Sequence, residues 1–211
     1  MPVASATAPV RRTQEERRTA TRGALLEATI AALVEHGYRG TTTLEVERRA
    51  GVSRGARIHH FPNKAALLAG VADYLYEQLS EFYAEAFDGS QSGASDLMRL
   101  RHGLHRLWAI YQRPQYTAVL ELNLAARTDT ELQQRLLTIA GRHRQLALDA
   151  AKRYFPVLAE AQARSLIELF HTAFLGMRLH GAVVADPDCI ELVLAALEDS
   201  AANHLARPLS K

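Results

Sequence analysis

The segment TTLEVERRAGVSRGARIHHF, from Thr42 to Phe61, decides the fold. Its first half carries a helix start at Thr42, with an acid, Glu45, three positions on, and a stop at Gly51. Glycine there supplies the left-handed backbone that ends a helix without a Cβ clash. Ser53 then caps a second short helix that runs to Phe61 and Pro62. Between the two helices, Val52 is placed to plug the angle of the turn. A tight, angled pair of this kind sets its second helix proud of the surface, where it can enter a DNA major groove. Gly55 leaves room for close backbone approach, and Arg54, Arg57, His59 and His60 supply donors for phosphates and base edges.

Outward from this segment, nearly every stretch has helical periodicity, and none alternates convincingly like a strand. Upstream, Thr13 and Glu16 have capping-box spacing and open a helix whose stripe is Leu26, Ile30, Leu33 and Val34, ending before Gly37. Residues 1–12 read as a disordered arm. Downstream, Asn63 is placed to cap a long helix bearing Leu68, Val71, Leu75 and Phe82, and the run from Asp88 through Ala94 reads as a loop. Further helices are expected near 95–112, 114–128, 130–154, 158–184 and 188–205, with Pro114 and Pro187 in first turns. The expected fold is all-α, with about nine helices: a three-helix helix-turn-helix domain over 13–63 and a helical bundle over 64–211.

The composition is that of an ordinary globular chain: 211 residues, 48% hydrophobic and 23% charged. A single cysteine, Cys189, excludes an internal disulfide framework and fits a reducing, cytoplasmic setting. No apolar stretch approaches the roughly 18 residues of a membrane helix, and the N-terminus lacks the pattern of a secretory signal. The net charge of +2 is unevenly spread. Residues 1–64 hold eleven Lys/Arg against six acids, a balance of +5, which leaves −3 for the remainder. A basic N-terminal portion on a mildly acidic body points to a polyanionic partner at one end. Chemistry is poorly represented. There is no phosphate-binding glycine loop, nucleophile elbow or Cys/His arrangement, and Glu45/Glu47 and Glu191/Asp199 form no recognisable acid–base pair. His102 and His105 are spaced to share a helix face but lack a third ligand nearby. No enzyme activity, cofactor or metal is expected.

The ensemble His36-Gly-Tyr, Thr41-Thr42, Ala50-Gly-Val-Ser-Arg-Gly, His59-His-Phe-Pro-Asn-Lys and Ala66-Leu-Leu resembles the TetR family of bacterial regulators over about residues 13–70. The resemblance implies that Thr42 meets a phosphate, that Arg54 and Arg57 read base edges, and that His59, His60 and Lys64 contact the DNA backbone. At the start of its helix, Lys64 would act alongside amide donors. Ser53 and Gly55 complete the expected DNA-binding set. Arg48 and Arg49 are expected to face solvent or salt-bridge. Three positions depart from the family pattern. Glu47 stands where a small residue is usual and must tilt outward or pair with an arginine. Arg57 replaces an aliphatic residue, and Ile58 a tyrosine; Ile58 can pack on the core or touch a thymine methyl.

The family further implies a body that binds a small effector and forms a homodimer through its last two helices. Candidate effector contacts are Trp108, Tyr111, Tyr116, Asn123, His143, Phe174 and Met177, with Phe170 and His180 nearby in the pattern. The scarcity of charge among them favours an apolar or aromatic ligand. Leu166, Leu169, Phe170, Ala173, Phe174 and Met177, with Ile190, Val193, Leu194 and Leu197, make wide apolar faces, and Ala173, Gly176 and Gly181 allow close helix approach. The expected mechanism is repression from a palindromic operator, relieved when the effector tilts the helix after Asn63. The alternative is an adaptor of the same fold that acts through protein contacts without DNA; the departures at Glu47 and Ile58 support it.

Overall fold

The computed structural model describes residues 13–87, 95–184 and 186–206. The expected arm at 1–12, the loop at 88–94 and the side chain of Phe82 lie outside the described residues. Nine helices occur among the described residues, and no strand. The first, α1 (Gln14–Gly40), begins on the reciprocal cap read from the sequence. Thr13 Oγ1 accepts from the Glu16 amide at 3.2 Å, and Glu16 Oε2 accepts from the Thr13 amide at 2.7 Å. Leu25, Leu26, Ile30 and Leu33 recur at helical spacing and are buried. The helix breaks at Gly37, whose φ of 67° is in the left-handed region. The chain then doubles back, with the Thr41 amide and hydroxyl both donating to the Gly37 carbonyl.

The short helices α2 (Thr43–Ala50) and α3 (Arg54–His60) start on Thr42 and Ser53, whose hydroxyls accept from Glu45 and Ala56 amides. Gly51, at φ 64°, ends α2. Val46 and Phe61 bury against the α1 face. Asn63 Oδ1 accepts from the Ala66 amide at 2.7 Å, which opens α4 (Lys64–Phe87) as expected. The bundle continues with α5 (Asp96–Tyr111), α6 (Gln115–Ala126), α7 (Thr130–Tyr154), α8 (Glu160–Gly181) and α9 (Pro187–Ala206). Pro114 sits just before α6 rather than in its first turn. The expected helix at 158–184 is shorter at both ends. Its start is set by Gln162 Oε1, which accepts from the Ala159 amide, and after Gly181 the amides of Val183 and Val184 both fold back on the His180 carbonyl.

One apolar core runs through the chain, from Leu25, Val46 and Phe61 past Leu68 and Val71 to Leu104, Leu122, Leu132 and Leu194. Each such side chain contributes about 1.5–3 kcal/mol on burial. α6 packs along α1, and α4 packs on α1, α5, α6 and α7. The last two helices divide their apolar residues. Leu166, Phe174, Met177, Leu194 and Leu197 complete this chain's core, whereas Leu169, Leu179 and Leu192 are exposed, Leu192 at 72%. No helix among the described residues is long and apolar enough to cross a membrane.

Candidate nucleic-acid interface

Helical spacing places positions 54, 55, 58 and 59 of α3 on one face and 56, 57 and 60 on the other. The burial pattern follows that division. Arg54, Gly55, Ile58 and His59 are exposed, with Ile58 at 44%, while Arg57 is 6% exposed. Thr42 and Ser53, at the starts of α2 and α3, are exposed as well. An added Cβ at Gly55 would meet nothing within 4 Å, so the backbone there is open to an approaching surface.

Arg57 was expected to read base edges; the structure turns it inward. Its Nε donates to Glu47 Oε1 at 2.9 Å, and one terminal nitrogen donates to the carbonyls of Phe61 and Pro62, each at 3.1 Å. Both side chains of the pair are nearly out of solvent. Arg57 therefore bolts α3 to α2 and to the turn before α4, and the face of α3 left to solvent carries Arg54 and Ile58. Of the two options for Glu47, tilting outward or pairing, it takes the second.

Lys64 is likewise drawn back from its expected phosphate contact. Its Nζ donates to the Tyr38 carbonyl at 2.7 Å and lies 4.1 Å from the centre of the Tyr38 ring. Burial pushes its ammonium below the usual lysine range, with Asp129 acting the other way. His60 is half-buried, and its pKa is lowered first by burial and then by the positive groups His59, Arg18 and Arg22. Arg18 and Arg22 of α1 thus lie close to the two histidines at the end of α3, with Arg22 5.5 Å from the centre of the Phe61 ring. An anion such as phosphate placed there would meet both arginines.

Behind the interface, Arg49 bridges Glu35 at 2.7 Å and Glu45 at 2.5 Å and meets His36 Nε2 at 2.8 Å. Arg48 also pairs with Glu45, whose pKa falls to about 2 as hydrogen bonds from both arginines hold its charged form. Arg49 thus braces α2 against α1, while Arg48 pairs within α2, and both are salt-bridged.

A second cluster joins this region to the bundle, and sequence reading missed it. The Tyr38 amide, exposed by the break at Gly37, donates to Glu121 Oε2 of α6 at 2.8 Å, and the Tyr38 hydroxyl donates to Asp129 Oδ2 at 3.1 Å. These partners lie 83 and 91 positions apart, and no local pattern marks them.

The expected effector residues are only partly gathered. Tyr111 and Phe174 line one apolar cavity, and Tyr116 lines an adjoining one, with its ring 4.2 Å from Tyr111. Trp108 packs behind, 5.8 Å from Phe174. His143 is buried between Tyr76 and His171. Two expectations need correction. Asn123 is exposed on α6 and lines neither cavity, and Met177 faces a separate groove between α8 and α9. His171 and Gln115, both at the cavities, were missed because nothing distinguishes them locally from surface polar residues. Among the described residues no group of three His, Cys, Asp or Glu could hold a metal. His105 instead shares Glu198 with Arg101, at 2.9 and 2.6 Å.

Comparison with known proteins agrees with this architecture. Residues 25–71 match the model of "Bacterial regulatory proteins, tetR family". The HTH-type transcriptional regulator CymR of Pseudomonas putida is 49% identical over 73 residues, 35% of this chain and 36% of that protein, so this match spans about a third of each. An uncharacterized HTH-type transcriptional regulator of Mycobacterium tuberculosis is 32% identical over 142 residues, 67% of this chain and 71% of its own length. The HTH-type transcriptional repressor AcnR of Corynebacterium diphtheriae is 29% identical over 95% of this chain and 96% of its own. In fold, a transcriptional regulator from Rhodococcus sp. Rha1 superposes with a TM-score of 0.66 at 20% identity, covering 87% of this chain and 95% of that one.

Proposed function

The chain belongs to the TetR family of bacterial transcriptional regulators, and from that premise we propose that it represses transcription by gripping a palindromic operator as a homodimer, releasing it when a small effector binds the body. The observation that carries this reading is the division of α3. One face is fixed to Glu47 through Arg57, and the other presents Arg54, Gly55, Ile58 and His59 to solvent. In this reading Arg54 reads a base edge, Ile58 meets a thymine methyl, and Thr42, Ser53, His59 and His60 hold phosphates. The nearly full-length similarity to a named repressor supports repression over activation.

Residues 13–63 do the reading, and residues 64–211 provide dimerisation and effector binding. The exposed Leu169, Leu179 and Leu192, with the open groove at Gly176, support pairing through α8 and α9. A two-fold dimer sets two recognition helices on half-sites about 34–36 Å apart or a multiple of it. The protein acts where the DNA is, in the cytoplasm. The adaptor alternative loses one of its two supports, because Arg57 accounts for Glu47.

Selection of binding sites from random duplexes, followed by gel shift across a salt series, tests the reading. The expected result is a two-fold symmetric site whose affinity falls steeply with salt. Failure to enrich any duplex would overturn it in favour of the adaptor.

A further inference from the structure

Two apolar cavities meet at one side chain in the bundle. The first, about 70 Å³, lies between α5, α7 and α8; the second, about 40 Å³, lies between α4 and the start of α6. His171 lines both. Its Nδ1 is 2.8 Å from the Tyr111 hydroxyl, and Tyr116 stacks on Tyr111. The partition is therefore a hydrogen-bonded phenol–imidazole pair rather than a wall of backbone.

We propose that the cavities together bind a neutral, compact apolar molecule of single-ring size that carries one hydroxyl, received by the Tyr111–His171 pair. This rests on the effector reading above and names the effector's chemical class.

Size supports a single ring. Neither space reaches the ~150 Å³ of an apolar cavity that accepts benzene, but joined they approach it. A ring must therefore move His171 off Tyr111 to bridge them. Charge supports neutrality. The first cavity is lined by Leu, Ile, Ala and Phe, with Tyr111 and His171 as its polar members, and no acidic or strongly basic side chain faces it. Burial holds His171 below the ordinary imidazole range, so it offers no counter-charge at neutral pH. An ion placed there would lose its hydration without a partner. In the second cavity Arg113 stands exposed at the rim and is already engaged.

Hydrogen bonding supports the hydroxyl. A neutral imidazole and a phenol bonded to each other retain one donor and one acceptor between them, whichever tautomer is present. A ligand hydroxyl, itself both donor and acceptor, replaces the broken Tyr111–His171 bond without leaving either group unpaired. At the second cavity, Gln115 Oε1 is buried with no hydrogen-bond partner among the described residues and accepts from the same class of donor.

The chain's single tryptophan, Trp108, is 5.8 Å from Phe174, which lines the first cavity, and its fluorescence reports occupancy. The full-length protein is titrated at pH 7.5 with p-cresol, toluene, p-toluate and p-methylbenzylamine, which share one ring and one methyl. The expected result is saturable p-cresol binding, at least tenfold tighter than toluene and at least a hundredfold tighter than either ion. Tyr111→Phe keeps the ring and should abolish the preference for p-cresol over toluene. Ala150→Leu, which fills the first cavity, should weaken both neutral probes at least tenfold and serves if Tyr111→Phe does not fold. Absence of saturation by any probe, equal binding of p-toluate or the amine, or an unchanged preference in Tyr111→Phe would overturn the proposal. Operator affinity is measured separately. Specific p-cresol binding that leaves it unchanged would sustain the ligand class and sink the effector reading.

Discussion

Replacing Arg57 with alanine separates a structural strut from a base reader, because the two roles predict opposite results. In the folded protein the side chains of Arg57 and Glu47 are only 7% and 11% exposed. Alanine at 57 leaves a carboxylate with little water and no cation, and strips a donor from the carbonyls of Phe61 and Pro62. Breaking one side of a buried pair costs about 3–5 kcal/mol. That is a large share of the ~5–15 kcal/mol that holds a typical domain together. With a urea dependence of about 2 kcal/mol per molar, the unfolding midpoint should fall by roughly 2 M. Glu47→Leu combined with Arg57→Met removes both charges at similar volume and should recover at least half of that loss. Operator binding is measured by gel shift at a temperature where all variants are folded, and site preference by selection from random duplexes. The double variant should keep the wild-type half-site, whereas Arg54→Ala should change it. An Arg57→Ala protein within about 0.5 kcal/mol of wild type but with altered site preference would refute the strut and return Arg57 to the bases.

Gly55→Ala should stabilise the unbound protein by about 0.5–1 kcal/mol, since the position is helical and open, yet weaken operator binding by setting a methyl against the DNA. Thermal unfolding and gel shift read the two effects, and unchanged DNA affinity would remove Gly55 from the interface. Exchanging thymine for deoxyuracil through the selected operator should cost about threefold at one position per half-site, the scale of one buried methyl, and nothing in Ile58→Ala. Indifference at every thymine would deny Ile58 its contact. His143 is held neutral by burial, with a pKa near 3 against the ordinary 6.5. Below pH 6.5 the unfolded chain binds a proton that the native state refuses, so stability falls with pH, by about 2 kcal/mol at pH 5. Urea unfolding at pH 7.5 and 5 should show this loss, and His143→Leu should shrink it; an equal loss in the variant would place the acid sensitivity elsewhere.

Helix starts were legible where the cap is local. Thr13, Thr42, Ser53 and Asn63 each accept from an amide three residues on, so short-range spacing carries the information. The break at Gly37 and the turn at Gly51 were legible for the same reason: both need a left-handed backbone. The buried pair was half-legible. Glu47 and Arg57, taken as two separate departures from the family pattern, are one feature, an acid and a base ten positions apart that face each other across the turn. Complementary charge at two unusual sites was the available signal. The effector candidates were less legible, because a helical stripe says which face is buried but not which buried residue borders a void. Asn123 and Met177 each follow a cavity-lining residue, Tyr116 and Phe170, by seven positions on nearly the same helix face, and differ from it in place along the axis. Contacts such as Tyr38 to Glu121 depend on how distant helices dock, and spacing along one helix does not encode that.

That docking gives the proposed reading head, residues 13–63, a second attachment to the rest of the bundle, beside the start of α4. Gly37 bends the chain so that the Tyr38 amide points at Glu121, and a Cβ at Gly37 would sit 3.0 Å from Glu121 Oε2, so the fit there is close. Lys64 at the start of α4 closes on the Tyr38 carbonyl, and Asp129 just after α6 holds the Tyr38 hydroxyl. One residue of the head is thus gripped from both α4 and α6. The second cavity is bordered by these same two helices, through Leu75 and Tyr76 on α4 and Gln115 and Tyr116 on α6. From Gln115 to Glu121 is about 9 Å along a single helix, which moves as a rigid rod over that length. A ring that wedges between α4 and α6 must shift at least one of them, and the charged hydrogen bonds at Tyr38 tolerate only a few tenths of an ångström before weakening. Under the proposed function, an occupied cavity and an undisturbed grip on Tyr38 oppose each other, and this gives effector and operator reciprocal, antagonistic affinities.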